Sequence, residues 1–201
     1  MDVDNSEEKR REKLYHVFDQ IKSTGGSLVI GGDFFDFWFN YQYVVPSGYV
    51  NLLEQLDNLH QSGISIHFVL GNHDYWDFGY FKEKFGANVY SKNLEFTQDN
   101  IQIQVCHGDG LLKNDHGYRL MKKIIRSSFC IWLFKLFHPD WGCALAKKVS
   151  KASGDYHHHD LKANTIRTEL IEYARSQWKL GYNIVLLGHY HQTGIVEEDG
   201  N

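Results

Sequence analysis

Side chains that can bind a metal ion or transfer a proton are concentrated in four short polar segments. These segments are GGDFFD (31–36), GNHD (71–74), CHGD (106–109) and GHYH (188–191). The carboxylate, amide and imidazole groups in them are Asp33, Asp36, Asn72, His73, Asp74, His107, Asp109, His189 and His191. Such a mixed set of oxygen and nitrogen donors suits manganese, iron or zinc, and it differs from a calcium site or a thiolate zinc site. The composition of the four segments therefore predicts one or two divalent cations.

The first segment shows why a positive partner is needed. Asp33 and Asp36 lie within an aromatic run that contains Phe34, Phe35 and Trp38. A carboxylate in apolar surroundings is costly unless it is paired. A bound cation would supply that pairing.

The hydrophobic pattern predicts the elements that carry these segments. Strands are predicted at 27–33, 64–74 and 183–191, with a hairpin over 94–109 that turns at 98–100. Helices are predicted at 7–22, 49–62 and 161–180, and over 116–152 in two or three pieces interrupted near 138–139. Each polar segment follows or ends a predicted strand. Because ligands of α/β sheets gather at the carboxyl ends of strands, the four segments are expected to meet.

Each segment alone has an ordinary explanation. An aspartate at a strand end usually caps a turn, and GNHD or GHYH alone would usually be a surface loop. Four such segments after four apolar strands are not explained by loop chemistry. The combination favours a metal site.

In this order the four segments resemble the calcineurin-like metallophosphoesterase superfamily, whose blocks are D-x-H, GD-x-x-D, GNH-D/E, H and GH-x-H. Four of these five blocks are present between residues 32 and 191. The resemblance implies a two-sheet α/β sandwich flanked by helices, with metal ions at the strand ends. No D-x-H precedes Asp33, and the final residues VEEDGN read as a hairpin turn without a returning strand. Residues 1–201 are thus expected to be a metallophosphoesterase domain that is truncated at both ends.

The resemblance also implies roles for individual residues. Two divalent ions are expected, manganese first, with iron or zinc as alternatives. The implied metal ligands are Asp33, Asn72, His107, His189 and His191. Asp33 would bridge both ions, and His191 would belong to the second ion. His73 would be the catalytic histidine beside the leaving-group oxygen. The carboxylates expected to orient these groups are Asp36, Asp74 and Asp109.

A helical insertion is predicted at residues 110–165, between HGD and GHYH. It resembles the lid of the UDP-2,3-diacylglucosamine diphosphatase family of the lipid A pathway, in which an Asp and a Tyr follow HGD. Asp115 and Tyr118 match that opening, and the basic helix YRLMKKIIR follows. The residues expected to bind substrate are Asp115, Tyr118, Arg126, Trp132 and Ser150. The sequence has His73 where many members of that family carry Arg, and this restores the general phosphoesterase pattern.

The apolar stretch FCIWLFKLF (129–137) is hydrophobic on nearly all sides of a helix. It could pack on the core of the lid, or it could form a groove for acyl chains through Phe129, Trp132, Leu133, Leu136 and Phe137. Neighbouring Lys and Arg residues would then meet a diphosphate or anionic headgroups. The expected partner is a nucleotide-linked glycolipid or another phosphate substrate, at a peripheral membrane surface.

The predicted reaction is metal-dependent hydrolysis of a phosphoester or diphosphate, with UMP and an acylated sugar 1-phosphate as products. Two alternatives remain. One is a different metallophosphoesterase acting on nucleotides or nucleic acid, and the other is a metal-poor binding scaffold of the same fold. The formal net charge of −4 and the apolar lid argue against nucleic acid. The only support for the binding-scaffold alternative is the missing D-x-H block.

Composition sets broad limits. A chain of 201 residues with 42% hydrophobic residues fits one globular domain with an insertion. Cys106, Cys130 and Cys143 have no disulfide spacing, and neither a signal peptide nor a membrane-spanning run is evident. We therefore expect a cytoplasmic location at the inner membrane face. The histidines of YHHHD (156–160) are expected at the surface.

Overall fold

The computed structural model describes residues 5–41, 44–142, 144 and 160–198. The chain divides into two compact units. Unit 1 contains Met1–Ile30, Val45–Phe68 and Phe78–Val89, and unit 2 contains Gly31–Val44, Val69–Asp77 and Tyr90–Asn201. All four polar segments belong to unit 2.

Unit 1 is built from helices on one three-stranded sheet. Its elements are α1 (Asn5–Thr24), β1 (Ser27–Ile30), a 3-10 turn (Ser47–Tyr49), α2 (Val50–Gln61), β2 (Ser65–Val69), α3 (Tyr80–Phe85) and β3 (Asn88–Tyr90). The strand order is β1-β2-β3, and β1 runs parallel to β2 with Ile30 opposite Phe68. The apolar face of α2 buries Leu53, Leu56 and Leu59, as its helical spacing predicts.

Unit 2 contains the second three-stranded sheet. Its elements are β4 (Leu94–Gln98), β5 (Ile101–Cys106), α4 (His116–Ile125), α5 (Ser128–Lys135), α6 (Asp160–Trp178) and β6 (Ile184–Leu187). The predicted hairpin is confirmed, because β4 and β5 pair antiparallel around Asp99 and Asn100, which both have positive φ. Strand β6 lies parallel to β5. Helix α6 packs Ile166 and Leu170 against Tyr190.

The α/β class with two sheets is confirmed, while several boundaries differ from the predictions. The strands end at Ile30, Val69 and Leu187, before the polar segments, because those segments fold as loops. Helix α3 and strand β3 were not predicted, because they are too short to show a clear hydrophobic period. The region after residue 116 is interrupted at 126–127 as well as at 136–138. No helix in the described part of the chain is long and apolar enough to cross a membrane.

The predicted lid begins with α4, α5 and a further helical turn at 139–142. Helix α5 is anchored by Phe134, whose ring lies 4.7 Å from that of Phe39 and 4.9 Å from that of Trp76. Gly142 permits close packing there, because a Cβ atom would lie 2.8 Å from the Tyr41 hydroxyl. The side chains expected to line an acyl groove are solvent-exposed: Phe129, Trp132, Leu133, Leu136 and Phe137. Cys143, Ser150 and the histidines of YHHHD lie outside the described residues.

Candidate metal centre

Three of the predicted ligands converge on one point in unit 2. Asp33, His107 and His189 each offer a ligand atom, and these atoms lie within 4.8 Å of one another. Asp33 Oδ2 is 3.2 Å from His107 Nε2 and 3.9 Å from His189 Nδ1. The three residues come from three different polar segments, so the folded chain has brought together groups that are far apart in sequence.

Asn72 is a fourth member of this cluster. Its Oδ1 atom lies 3.0 Å from His107 Nε2, while His107 Nδ1 lies 3.1 Å from the carbonyl oxygen of Gly31. A histidine that donates its Nδ1 proton to a carbonyl presents its other nitrogen as a metal ligand. In a neutral His107 ring, the lone pair of Nε2 would face two other acceptors, Asp33 Oδ2 and Asn72 Oδ1, and these contacts would be repulsive. A cation bound between the three atoms would remove this repulsion. The donor set therefore fits a divalent metal ion of the manganese, iron or zinc type.

The charges in the cluster reinforce each other. Burial alone would raise the pKa of Asp33, but the neighbouring imidazoles of His107 and His189 hold that pKa well below its usual range. Burial alone would lower the pKa of His107, but the Asp33 carboxylate raises it above the ordinary value. An ionised carboxylate at this position is the charge that a metal ion needs.

Backbone conformation fixes the ligand-bearing loops. Asp33, His189 and His191 have φ values of 52°, 66° and 52°, in the left-handed region that is costly for residues other than glycine. Gly71 allows two loops to touch, because a Cβ atom there would lie 2.2 Å from Asp33 Oδ1. The glycine before Asn72 is thus required by the approach of the Asp33 loop.

Asp74 ties the same two loops together. Its side chain is fully buried and accepts hydrogen bonds from the Gly71 N–H at 2.6 Å and the Phe34 N–H at 2.8 Å. Burial raises the pKa of Asp74 to about 6, although both backbone donors favour the charged form. The His73 N–H in turn donates to Asp33 Oδ1 at 2.9 Å. Asp74 therefore links the GNHD loop to the loop that carries Asp33.

His73 lies at the edge of the cluster. Its Nε2 atom is 4.0 Å from Asp33 Oδ2, and its Nδ1 atom contacts the carbonyl oxygen of Asp36. The ring is therefore oriented by the backbone of Asp36, while the Asp36 side chain is exposed. His191 is also exposed and is not a member of the three-residue group that includes His189.

Asp109 joins helix α4 to the HGD loop. Its carboxylate accepts hydrogen bonds from the Tyr118 hydroxyl at 3.2 Å, from Lys122 Nζ at 2.6 Å and from an Arg126 nitrogen at 3.3 Å. Arg126 also lies 3.8 Å above the ring of Tyr75 and 3.5 Å from the carbonyl oxygen of Gly71. The cationic side chains of Lys122 and Arg126 are thus held beside the loops that carry the candidate metal ligands.

Lys122 was predicted only as part of the basic helix YRLMKKIIR, and Tyr75 was not identified from the sequence. The spacing of Tyr118, Lys122 and Arg126 at i, i+4 and i+8 puts all three on one helix face, and that signal could have identified Lys122. Tyr75 carried no signal, because an aromatic residue after GNHD looks like any core residue.

The other predicted substrate residues have structural contacts. Asp115 accepts a hydrogen bond from the Tyr190 hydroxyl at 2.8 Å, and that hydroxyl accepts one from the Gly110 N–H at 3.2 Å. Asp115 therefore links the start of the lid to the GHYH segment. Trp132, in α5, is 56% exposed and contacts Phe129.

Comparison with known proteins places these residues in a family. Residues 7–193 match the model of the calcineurin-like phosphoesterase family. A UDP-2,3-diacylglucosamine hydrolase of Porphyromonas gingivalis is 31% identical over 142 residues, which cover 70% of this chain and 54% of that protein. The chain thus spans about half the length of this relative.

Further relatives carry the same name. Enzymes of Histophilus somni and Neisseria meningitidis are each 25% identical, over 93% and 87% of this chain and 81% and 72% of their own lengths. The family match includes all four polar segments and the cluster built from them. The chain belongs to the calcineurin-like phosphoesterase family.

Proposed function

We propose that this protein is a metal-dependent hydrolase that cleaves UDP-2,3-diacylglucosamine to UMP and the acylated sugar 1-phosphate. The observation that carries the proposal is the convergence of Asp33, His107 and His189, with Asn72 beside them, under the basic face of α4. The names of the relatives support the choice of substrate. The proposed metal ligands are Asp33, Asn72, His107, His189 and His191.

The proposed cofactors are two divalent ions, with Mn²⁺ as the first choice. When bound, such ions lower the pKa of water and neutralise the charge that grows on the phosphoryl oxygens during in-line attack. Asp33 supplies the carboxylate between the imidazoles, and its low pKa keeps it charged. The fixed orientation of these ligands keeps the reorganisation cost of the reaction small.

His73 is proposed to hold a proton for the leaving oxygen. The contact of its Nδ1 atom with the Asp36 carbonyl leaves Nε2 as the atom near Asp33. A positioned imidazole can donate a hydrogen bond or a proton to the departing oxygen. Tyr118 and Arg126 are proposed to bind the diphosphate, since Asp109 holds both of them beside Gly71 and the metal ligands.

The lid is proposed to serve the acyl chains and the membrane surface. The exposed apolar side chains of α5, including Trp132 and Leu133, adjoin the basic residues of α4. Each buried CH₂ group of an acyl chain contributes about 0.8 kcal/mol, so partial burial of one chain outweighs a hydrogen bond. This combination of apolar and basic residues also fits peripheral binding to anionic lipid at the cytoplasmic membrane face.

The test compares two substrates in the presence of Mn²⁺. The purified chain should release UMP from UDP-2,3-diacylglucosamine with a much higher kcat/KM than from the unacylated UDP-sugar, and removal of metal by EDTA should abolish both activities. Equal kcat/KM values would reject the lipid substrate and leave a general phosphoesterase. Failure to hydrolyse any phosphoester while metal ions are bound would contradict the hydrolase proposal itself.

A further inference from the structure

A polar cavity of about 550 Å³ lies in unit 2 beside the candidate metal ligands, and it extends beyond the residues assigned so far. One end is lined by His107, Asp109 and Arg126. The other end is lined by Lys92, Asn93 and Tyr173, none of which belongs to a recognised motif. We refer to it as the Tyr173 cavity. Its volume is within the range of about 300–1,000 Å³ that is typical of small-ligand sites.

The far wall of the Tyr173 cavity is attached to the metal-ligand loop. The Leu70 N–H donates to the Tyr90 carbonyl at 2.9 Å, so the segment that begins at Tyr90 runs beside the residues leading to Asn72. Ser91, Lys92 and Asn93 follow directly and reach the cavity. A ligand whose phosphate lies at the metal centre would therefore extend along a wall of fixed position.

Hydrogen bonds hold the wall in place from behind. Asn93 Nδ2 lies 3.5 Å from the Tyr173 hydroxyl, which donates to Gln104 Oε1 at 3.2 Å. Gln104 is buried in β5 and donates to Glu95 Oε1 at 3.2 Å. Burial raises the pKa of Tyr173 to about 12, so the hydroxyl keeps its proton at neutral pH. A preorganised polar wall of this kind loses little entropy when it binds a ligand.

The lining groups indicate which part of a substrate fits. Asn93 can donate and accept, the Lys92 ammonium donates, and the Glu95 carboxylate accepts. An acyl chain would leave these groups without partners, which is costly. A pyrimidine nucleoside presents carbonyl acceptors, an N–H donor and ribose hydroxyls, and these match the set. The exposed apolar surface of α5 is available for the acyl chains.

We propose that the Tyr173 cavity binds the nucleoside end of the substrate, with Lys92 and Asn93 as its base-recognising residues. The proposal rests on the proposed function, because it takes the uridine diphosphate of that substrate as the ligand. It adds residues from β4, from the loop before β4 and from α6 to a site otherwise made from the four polar segments. The diphosphate would then lie between the Tyr173 cavity and the metal ligands, beside Arg126.

The first experiment measures inhibition by UMP and by inorganic phosphate during hydrolysis of a chromogenic phosphodiester. Lys92→Ala and Asn93→Ala should each raise the inhibition constant of UMP relative to that of phosphate by about fivefold, the loss expected for one hydrogen bond. Asn114→Ala is the matched control, because Asn114 is exposed and does not line the cavity. An unchanged ratio in both variants, or an equal rise for UMP and phosphate, would overturn the proposal.

A second measurement separates this inference from the proposed function. Saturation-transfer NMR should detect contact between the full chain and the uracil protons of uridine, and the signal should fall in both variants but not in Asn114→Ala. Uridine carries no phosphate, so this result does not require turnover. A chain that hydrolyses nothing but binds uridine in this way would reject the proposed reaction and retain the subsite. A chain that hydrolyses the diphosphate but shows no such transfer would reject the subsite and retain the proposed reaction.

Discussion

Replacing Asp109 with Asn should loosen the attachment of helix α4. The carboxylate is 8% exposed, and it faces Lys122 and Arg126 at 2.6 and 3.3 Å, whose side chains are 24% and 17% exposed. Removing one partner of a buried ion pair costs about 3–5 kcal/mol, whereas an exposed pair contributes about 0–1 kcal/mol. Since both cations retain some contact with water, we expect an intermediate loss of about 2–3 kcal/mol in the free energy of unfolding.

Urea unfolding of the two proteins measures this loss. The midpoint should fall at unchanged slope, and the melting temperature should fall by about 4–12 °C for a chain of this length. Asp19→Asn is the control, because Asp19 is 72% exposed and its contact with Lys22 is 3.5 Å long. That variant should differ from the original by less than about 0.5 kcal/mol.

The same substitution should weaken substrate binding. Without the carboxylate, Arg126 loses one of the groups that hold it beside Gly71, so KM should rise more than kcat falls. A double-mutant cycle of Asp109→Asn with Lys122→Met should show coupling between the two residues. The double variant should lose less free energy of unfolding than the sum of the two single variants, because it leaves neither charge of that pair without its partner. An Asp109→Asn protein with the original midpoint and the original KM would refute the assignment of Asp109 as the anchor of α4.

Three further variants test other parts of the site. His73→Ala should lower kcat by about 10²- to 10⁴-fold while the metal content measured by mass spectrometry is retained, and loss of metal would instead make His73 a ligand. Gly71→Ala should weaken Mn²⁺ binding in calorimetric titrations, because the added Cβ atom would collide with Asp33. Gly48→Ala is the control and should leave Mn²⁺ binding unchanged, since a Cβ atom there meets nothing within 4 Å. Trp132→Ala should reduce the preference for acylated over unacylated UDP-sugar without changing the melting temperature, as this exposed ring contributes little to the core; an unchanged preference would exclude Trp132 from acyl binding.

The positions of Asp33, Asn72, His107 and His189 could be predicted because each follows or ends an apolar strand pattern. Parallel pairing puts the ends of such strands on one edge, as it does for β5 and β6, so sequence order alone indicates which side chains meet. The position of the His191 side chain could not be predicted in this way. His191 lies two residues beyond His189, and both residues have positive φ values. The alternation of side chains along a strand therefore no longer specifies the direction of the His191 side chain.

The lid could be located from the sequence, but its orientation could not. A helix that is apolar on nearly every side has no preferred buried face, so the period of FCIWLFKLF did not identify its contact. In the folded chain Phe134 fills a cluster with Phe37, Phe39 and Trp76, while Phe129, Trp132 and Leu133 on the same helix are exposed. The deciding partners come from the GGDFFDFWFN segment and from Trp76, just after GNHD, and both are distant in sequence from α5.

The GGDFFDFWFN segment contributes aromatic side chains to the hydrophobic core and one aspartate, Asp33, to the candidate metal centre. Phe35, Trp38 and Phe39 are each 1% exposed, so the run mainly forms core. Asp33 lies before these rings, where positive φ values at Gly32 and Asp33 turn the chain, and its carboxylate is directed at His107 and His189 rather than into the aromatic core. Asp36 lies on the exposed side, and only its carbonyl contributes, by orienting His73. The aromatic residues therefore fix the loop that holds one carboxylate at the candidate metal centre, and the charge of Asp33 is balanced by the imidazoles and by the cation proposed between them.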